Sequence, residues 1–490
     1  MKKTKRPIVL TGFVLTAVLL GIWGGIMVNH KEDKALLLDE TAIHLTPEEG
    51  YDGFEGWGTS LVWWTNILGQ WSDTERLDEV LDLIFDREQG LGLNIVRYNI
   101  GGGEDPGIVN NTLRPGGDIP GFQPSENSWD WEADAGQRKV LLGALARGVN
   151  IAEAFSNSPP YWMTVSGSVT GAADGGNNLK EEYYDAFADY LTEVVKEYKE
   201  RYGVTFRTLN PLNEPASGWW RKGNIQEGSH FSLDKQMEIL QKVASSLKSK
   251  GLTATGVSAP DENSVDETLE MLEGYDADTI ESISQINTHT YNGSSLAEVR
   301  DFAKENGKHL WMSEFGTGGS GPHDHQDMSS VMELAERIIF DLRMLQPAAW
   351  VYWQAIEDEG ANNNWGFIHS DFSGGESYEI TKQYYAMANF SRFILPGSRI
   401  LPTDDGRSVA AYLEEKQQLT VVVRNEQAEK ELIYDLTPFE FEVSTAKVYR
   451  TTAAGNLKEG EAELRRNGVK LTVPQQSITT LVISGIQLKK

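Results

Sequence analysis

Between about residue 54 and residue 356, short apolar, β-prone runs ending in polar or glycine-rich turns alternate with longer stretches of apolar residues at three- and four-residue spacing. The β-prone runs cover residues 54–59, 94–99, 149–155, 205–210, 254–259, 284–290, 309–314 and 349–354, eight in all. Helical periodicity is clearest over 180–200, 233–250 and 328–345. Eight strands alternating with helices predict an α/β fold, a (β/α)8 TIM barrel over residues 54–390. Such barrels place their active sites at the C-terminal ends of the strands.

From about residue 391 the pattern shortens to alternating runs at 409–413, 419–424, 447–449, 469–473 and 478–483, separated by polar turns. Residues 391–490 therefore read as a side β-sandwich. A strand-like segment at 39–45, within the leading stretch 35–53, is expected to pair with it. Residues 1–34 begin with a basic cap, followed by an uncharged run at 8–28 that is long enough to cross a bilayer as a helix. No Ala-x-Ala follows that run, so an uncleaved anchor is favoured over a cleaved signal peptide; either implies an exported, extracellular or cell-surface body.

Composition narrows the chemistry. With no cysteine among 490 residues, disulfides, thiolate catalysis and Cys-ligated metals are excluded. The first 34 residues carry six Lys/Arg against two Asp/Glu, which leaves the remaining 456 at a net charge of −32. So acidic a body argues against nucleic acid or anionic lipid as partner, and leaves the N-terminal anchor as the one link to a membrane. The glycine runs at 101–103 and 316–321 lack the spacing or the Lys-Ser/Thr of nucleotide-binding loops. Gly-x-Ser-x-Gly is absent, and no Ser/His/Asp triad can be assembled. His323-Asp324-His325 has no third anchored ligand, so neither a metal nor another cofactor is expected.

The chemistry points to two glutamates. Glu214 closes the strand-four run and Glu314 the strand-seven run, each beside Pro or Gly. Two acids held across one pocket suit glycosidic cleavage, one donating a proton to the leaving oxygen and the other attacking the anomeric carbon. Around them, Arg97 in strand two is placed either to hold a glutamate ionised or to form a structural salt bridge. Asn213 is placed to bind a sugar hydroxyl, and Tyr291 either to donate to a carboxylate or to pack. Trp353, ending strand eight, suits stacking on a sugar face. Trp63, Trp64, Trp162, Trp219, Trp220 and Trp365 fall in loops or near strand ends, and of these Trp64 is assigned to substrate.

Three motifs carry a family resemblance: Gly56-Trp57-Gly58-Thr59-Ser60-Leu61, the run from Asn94 to Gly103, and Ser156-Asn157-Ser158-Pro159-Pro160-Tyr161-Trp162-Met163. With Asn213-Glu214-Pro215 and Ser313-Glu314-Phe315-Gly316 they resemble glycoside hydrolase family 30, most of all its endo-β-1,6-galactanase branch. The resemblance implies Glu214 as acid/base and Glu314 as nucleophile, supported by Arg97 and Tyr291. It also implies Asn213 on the 2-hydroxyl and Trp353 flooring the −1 subsite. Many relatives acting on glucosyl or xylosyl units have Trp where this chain has Asn157, which leaves room and a polar partner for the axial 4-hydroxyl of galactose. Glu104 or Asp105 is expected to add a second polar contact. The expected activity is retaining hydrolysis of a galactose-containing poly- or oligosaccharide by a monomer. The alternatives are the same mechanism on β-1,6-glucan, xylan or a glucosylated lipid, and an inactive carbohydrate-binding surface protein.

Overall fold

The computed structural model describes residues 38, 41–105, 112–317, 324–441 and 445–489. The expected membrane anchor at 8–28 lies outside the described residues, and among these no helix is long and apolar enough to cross a membrane.

Eight parallel strands close into a barrel: β1 (Gly56–Ser60), β2 (Ile95–Asn99), β3 (Ile151–Phe155), β4 (Thr208–Asn210), β5 (Gly256–Ser264), β6 (Ile283–Asn292), β7 (His309–Phe315) and β8 (Ala349–Gln354). All eight fall on the β-prone runs. The ring shuts where β1 pairs with both β2 (Gly58↔Ile95) and β8 (Gly56↔Ala349). Strand entry at the bottom is clamped by Asn94, whose side chain accepts from Trp57 N (3.1 Å) and donates to Glu55 O (2.9 Å). A Cβ on Gly56 would sit 1.9 Å from Asn94 Oδ1, and its φ of +129° is one that side chains rarely adopt, so glycine is required there.

The outer helices bury one face each. Thr74–Phe85 buries Leu77, Val80, Leu81 and Ile84, an i, i+3, i+4, i+7 stripe, and Asp73 caps it by accepting from Arg76 N at 3.0 Å. Tyr184–Tyr202 stops at Gly203 (φ +70°), Leu233–Ser249 and Met328–Met344 lie on the predicted helices, and Asp327 caps the last.

The barrel interior is stratified. Ile95, Trp311, Ala349 and Val351 form an apolar plug at the bottom. Above it lies a polar layer centred on Glu153 in β3. Its carboxylate accepts from Arg97 Nε (2.9 Å), Thr208 Oγ1 (2.7 Å), Ser258 Oγ (2.8 Å), Gln285 Nε2 (3.1 Å) and Asn287 Nδ2 (2.8 Å). So many donors make burial of this acid tolerable, and they seat Arg97 rigidly under the mouth of the barrel.

Beyond the barrel, a six-stranded antiparallel sheet runs in the order Arg399–Leu401, Ser408–Leu413, Gln418–Asn425, Ser477–Ser484, Thr445–Thr452, Gly455–Glu461. It shares a core with a four-stranded sheet ordered Ile43–His44, Lys430–Asp435, Gly468–Val473, Glu463–Arg465. The leading strand pairs in parallel with this domain, Ile43 opposite Tyr434 and His44 opposite Asp435.

Candidate active site

The acids differ in how the backbone presents them. Glu314 lies within β7, and the ladder slips on both sides of it, between Thr288 and His289 against β6 and between Met312 and Phe315 against β8. Such irregularities re-aim side chains at barrel rims. Glu214 does not end a strand as the sequence suggested. β4 stops at Asn210 because Pro211 has no N–H for the ladder, and Glu214 sits four residues further on with φ +48°. That left-handed conformation is costly for a glutamate. It is held by Glu214 N donating to Asp261 O (2.9 Å), with Glu214 O accepting from Ser217 N (3.1 Å) and Trp220 Nε1 (2.9 Å).

The two carboxylates converge at the top of the barrel. Oxygens of Glu214 and Glu314 and a nitrogen of His289 lie within 4.8 Å of one another, all buried. His289 Nδ1 is 3.0 Å from Glu214 Oε1 and 3.7 Å from Glu314 Oε1. Its Nε2 lies 3.3 Å from Asp261 Oδ1, an ion-pair separation rather than a well-aligned hydrogen bond. Asn263 Nδ2 donates to Glu214 Oε1 at 2.7 Å. Tyr291 donates its hydroxyl to Glu314 Oε1 at 3.1 Å, and Arg97 Nη1 reaches Glu314 Oε2 at 3.4 Å. Arg97 is also paired through Nη2 with Asp261, which in turn accepts from Ser313 Oγ at 2.5 Å.

These contacts set the charges. Burial opposes charge on His289, but Glu314 and Asp261 outweigh it and hold its pKa well above the ordinary value. In its charged form the imidazole is drawn to both glutamates, and the three side chains make an ion-pair cluster. Burial alone would raise Asp261, yet Arg97 and His289 pull it down to about 2. Burial pushes Glu314 up to about 7, His289 and Arg97 opposing and the Glu214 charge adding to it.

The cleft above encloses about 300 Å³ and is lined by Glu214 and Glu314 together with Asn157, Asn213, Tyr291 and Trp353. Asn213 lines the cleft, and its Oδ1 is buried without a hydrogen-bond partner. Trp353 meets Trp63 edge to face at 5.1 Å, giving an aromatic floor.

A family model for O-glycosyl hydrolase family 30 matches residues 40–299. The endo-β-1,6-galactanase of Hypocrea rufa is 30% identical, covering 92% of this chain and 96% of its own length. The chain belongs to glycoside hydrolase family 30. This makes it an O-glycosyl hydrolase. The exo-β-1,6-galactobiohydrolase of Bifidobacterium longum is 24% identical over 90% of this chain, which spans 38% of that longer protein. Among solved structures, a conserved exported protein from Bacteroides fragilis superposes with a TM-score of 0.75 at 20% identity, covering 90% of this chain and all of that one.

Within this family-30 barrel some residues expected at the site stand elsewhere. Trp64 is fully buried, donates its indole N–H to Ser60 O at 3.1 Å, and does not line the cleft. Its neighbour Trp63 does. Both lie on the helix Val62–Leu68, where consecutive side chains point about 100° apart, so only one of the pair faces the cleft. Glu104 and Asp105 are not part of the cleft wall either: Glu104 accepts from Ser168 Oγ (3.4 Å) and from Asp105 N (2.9 Å). His323 of the histidine-rich loop lies outside the described residues.

The acid that does line the cleft is Glu227, from the loop after β4. It accepts from Asn99 Nδ2 (3.4 Å) and Gly102 N (3.3 Å), and burial pushes it well above the usual carboxylate range. Nothing local in Gln226-Glu227-Gly228 marks it. His289 was more legible: once Tyr291 is taken to face the site, the two-residue strand period brings His289 to the same face. Asp261 and Asn263 were hidden because the β-prone run was read as 254–259, whereas β5 continues to Ser264.

Proposed function

We propose that this enzyme hydrolyses a β-1,6-linked, galactose-containing polysaccharide by double displacement with net retention, acting within the chain. The observation that carries the mechanism is the separation of the two acids. Carboxyl oxygens within 4.8 Å leave no room for the water that inverting enzymes place between carboxyls roughly 6.5–9.5 Å apart.

In this reading Glu314 attacks the anomeric carbon while Glu214 donates its proton to the departing glycosidic oxygen. Glu214 then takes a proton from water, which attacks the glycosyl-enzyme from the same face. Arg97 and the Tyr291 hydroxyl favour Glu314 in its ionised form for attack. Asn213 contacts the 2-hydroxyl, and Trp353 with Trp63 stacks under the −1 sugar.

The galactan assignment is supported by the Hypocrea rufa relative and by Asn157, 7% exposed in the cleft wall. Asn157→Trp fills the space for an axial 4-hydroxyl and removes a polar partner. Activity on β-1,6-galactan should fall by about 10²-fold or more, and that on β-1,6-glucan by much less. Product analysis of wild type and variant on galactan, glucan and glucuronoxylan tests both points. Proportional losses would remove Asn157 from recognition, and a wild-type preference for glucan or xylan would overturn the galactan assignment.

A further inference from the structure

The loop between β4 and the helix Leu233–Ser249 contains two large apolar side chains left in water, Trp219 at 45% and Ile225 at 58% exposure. Neither is loosely held. Trp219 packs edge to face on Trp220 (6.0 Å between ring centroids, 64° between planes). Trp220 is fully buried, and its indole N–H holds the carbonyl of Glu214. Glycines let the chain close around that anchor. A Cβ on Gly228 would sit 2.1 Å from the Trp220 ring, and one on Gly171 would sit 2.3 Å from its backbone. Asn224 Nδ2 donates to Trp219 O (3.2 Å), and Ile225 O accepts from Arg114 N (2.8 Å). An exposed indole on so constrained a loop keeps unfavourable contact with water unless a ligand covers it, and its fixed geometry lowers the entropy cost of binding.

Its position says which ligand. Trp219 lines the same cleft as the two acids, five residues along the chain from Glu214. The acid must stand beside the departing oxygen, so the leaving group passes along the wall built from its own loop, while the −1 sugar rests on Trp353 and Trp63. We infer that Trp219 is the platform of an aglycone subsite, stacking on the apolar face of the sugar unit that departs with the Glu214 proton. The ligand there is a β-linked galactosyl residue of the same polymer. The assignment rests on Glu214 being the proton donor.

Two probes separate this subsite from the rest of the site. 2-Deoxy-2-fluoro-β-1,6-galactobiosyl fluoride expels fluoride, so it labels the nucleophile with nothing in the aglycone position. β-1,6-Galactotetraose fills both sides of the scissile bond. In Trp219→Ala, kcat/KM on the tetraose should fall about tenfold or more, through KM and kcat together, while the inactivation rate by the fluoride stays at the wild-type value. Trp219→Tyr, which keeps a ring, should recover most of the loss. Unchanged tetraose cleavage, or equal losses on both probes, would overturn the aglycone assignment. If the fluoride fails to label wild-type enzyme at Glu314, the galactosyl double-displacement reading falls. Trp219 is then judged by comparing sugar and non-sugar leaving groups on whichever glycoside the enzyme cleaves.

Discussion

Glu314→Gln should lower turnover of every glycoside, including those with highly activated leaving groups, by on the order of 10⁴-fold or more, because no nucleophile remains to form the glycosyl-enzyme. The loss should come with little unfolding. Arg97 keeps its contacts with Glu153 and Asp261, so no buried guanidinium is left without a counter-charge when the Glu314 carboxylate is neutralised. Steady-state kinetics on a dinitrophenyl glycoside and on polymer, with thermal melts of both proteins, check this. Residual activity on the activated substrate within about tenfold of wild type would show that Glu314 is not the attacking group.

Glu214→Ala should fail selectively. Cleavage of polysaccharide, whose alkoxide leaving group needs protonation, should drop by about 10²–10⁴-fold, whereas formation of the glycosyl-enzyme from a dinitrophenyl substrate should be nearly unaffected. Its breakdown then lacks a general base. Azide, small enough for the vacated space, should restore turnover and give a glycosyl azide of retained configuration. The pH profile supplies a second readout. Glu314 is pushed up to about 7 by burial and by the Glu214 charge, so it holds its proton below that value and is ionised above it. kcat/KM of the wild type should therefore rise with pH through about 7, as the attacking carboxylate ionises. Glu214→Ala removes the like charge, so the Glu314 pKa should drop and that limb should move to lower pH on substrates that need no acid. A limb near pH 7 persisting in the variant would mean that another group supplies it.

The barrel was legible because parallel strands buried on both faces leave continuous apolar runs, and all eight runs became strands. Glu314 was legible for the same reason, as the polar residue at the end of Leu310-Trp311-Met312. Glu214 was found as the acid closing the strand-four run beside Pro215, but its geometry is not that of a strand end. Its left-handed backbone four residues past β4 depends on hydrogen bonds from Ser217 and Trp220 and on one given to Asp261 O, which no local pattern encodes. The polar layer around Glu153 was invisible for a related reason. Each of Thr208, Ser258, Gln285 and Asn287 interrupts its own strand innocuously, and only closure of the barrel brings them around one carboxylate. The side domain was read from its alternating strands, but Lys430–Asp435 escaped because its charged residues hide a strand paired on both edges, to Ile43–His44 and Gly468–Val473. Trp64 was assigned in place of Trp63 because sequence proximity cannot give the phase of a two-turn helix.

The central claim is double displacement through Glu314 and Glu214, and the anomer released first tests it most directly. Hydrolysis of β-1,6-galacto-oligosaccharide followed by proton NMR from the first minutes should show the β-anomer of the new reducing end appearing ahead of mutarotation. The α-anomer appearing first would mean single displacement, and the mechanism built on the close pair of carboxylates would be wrong.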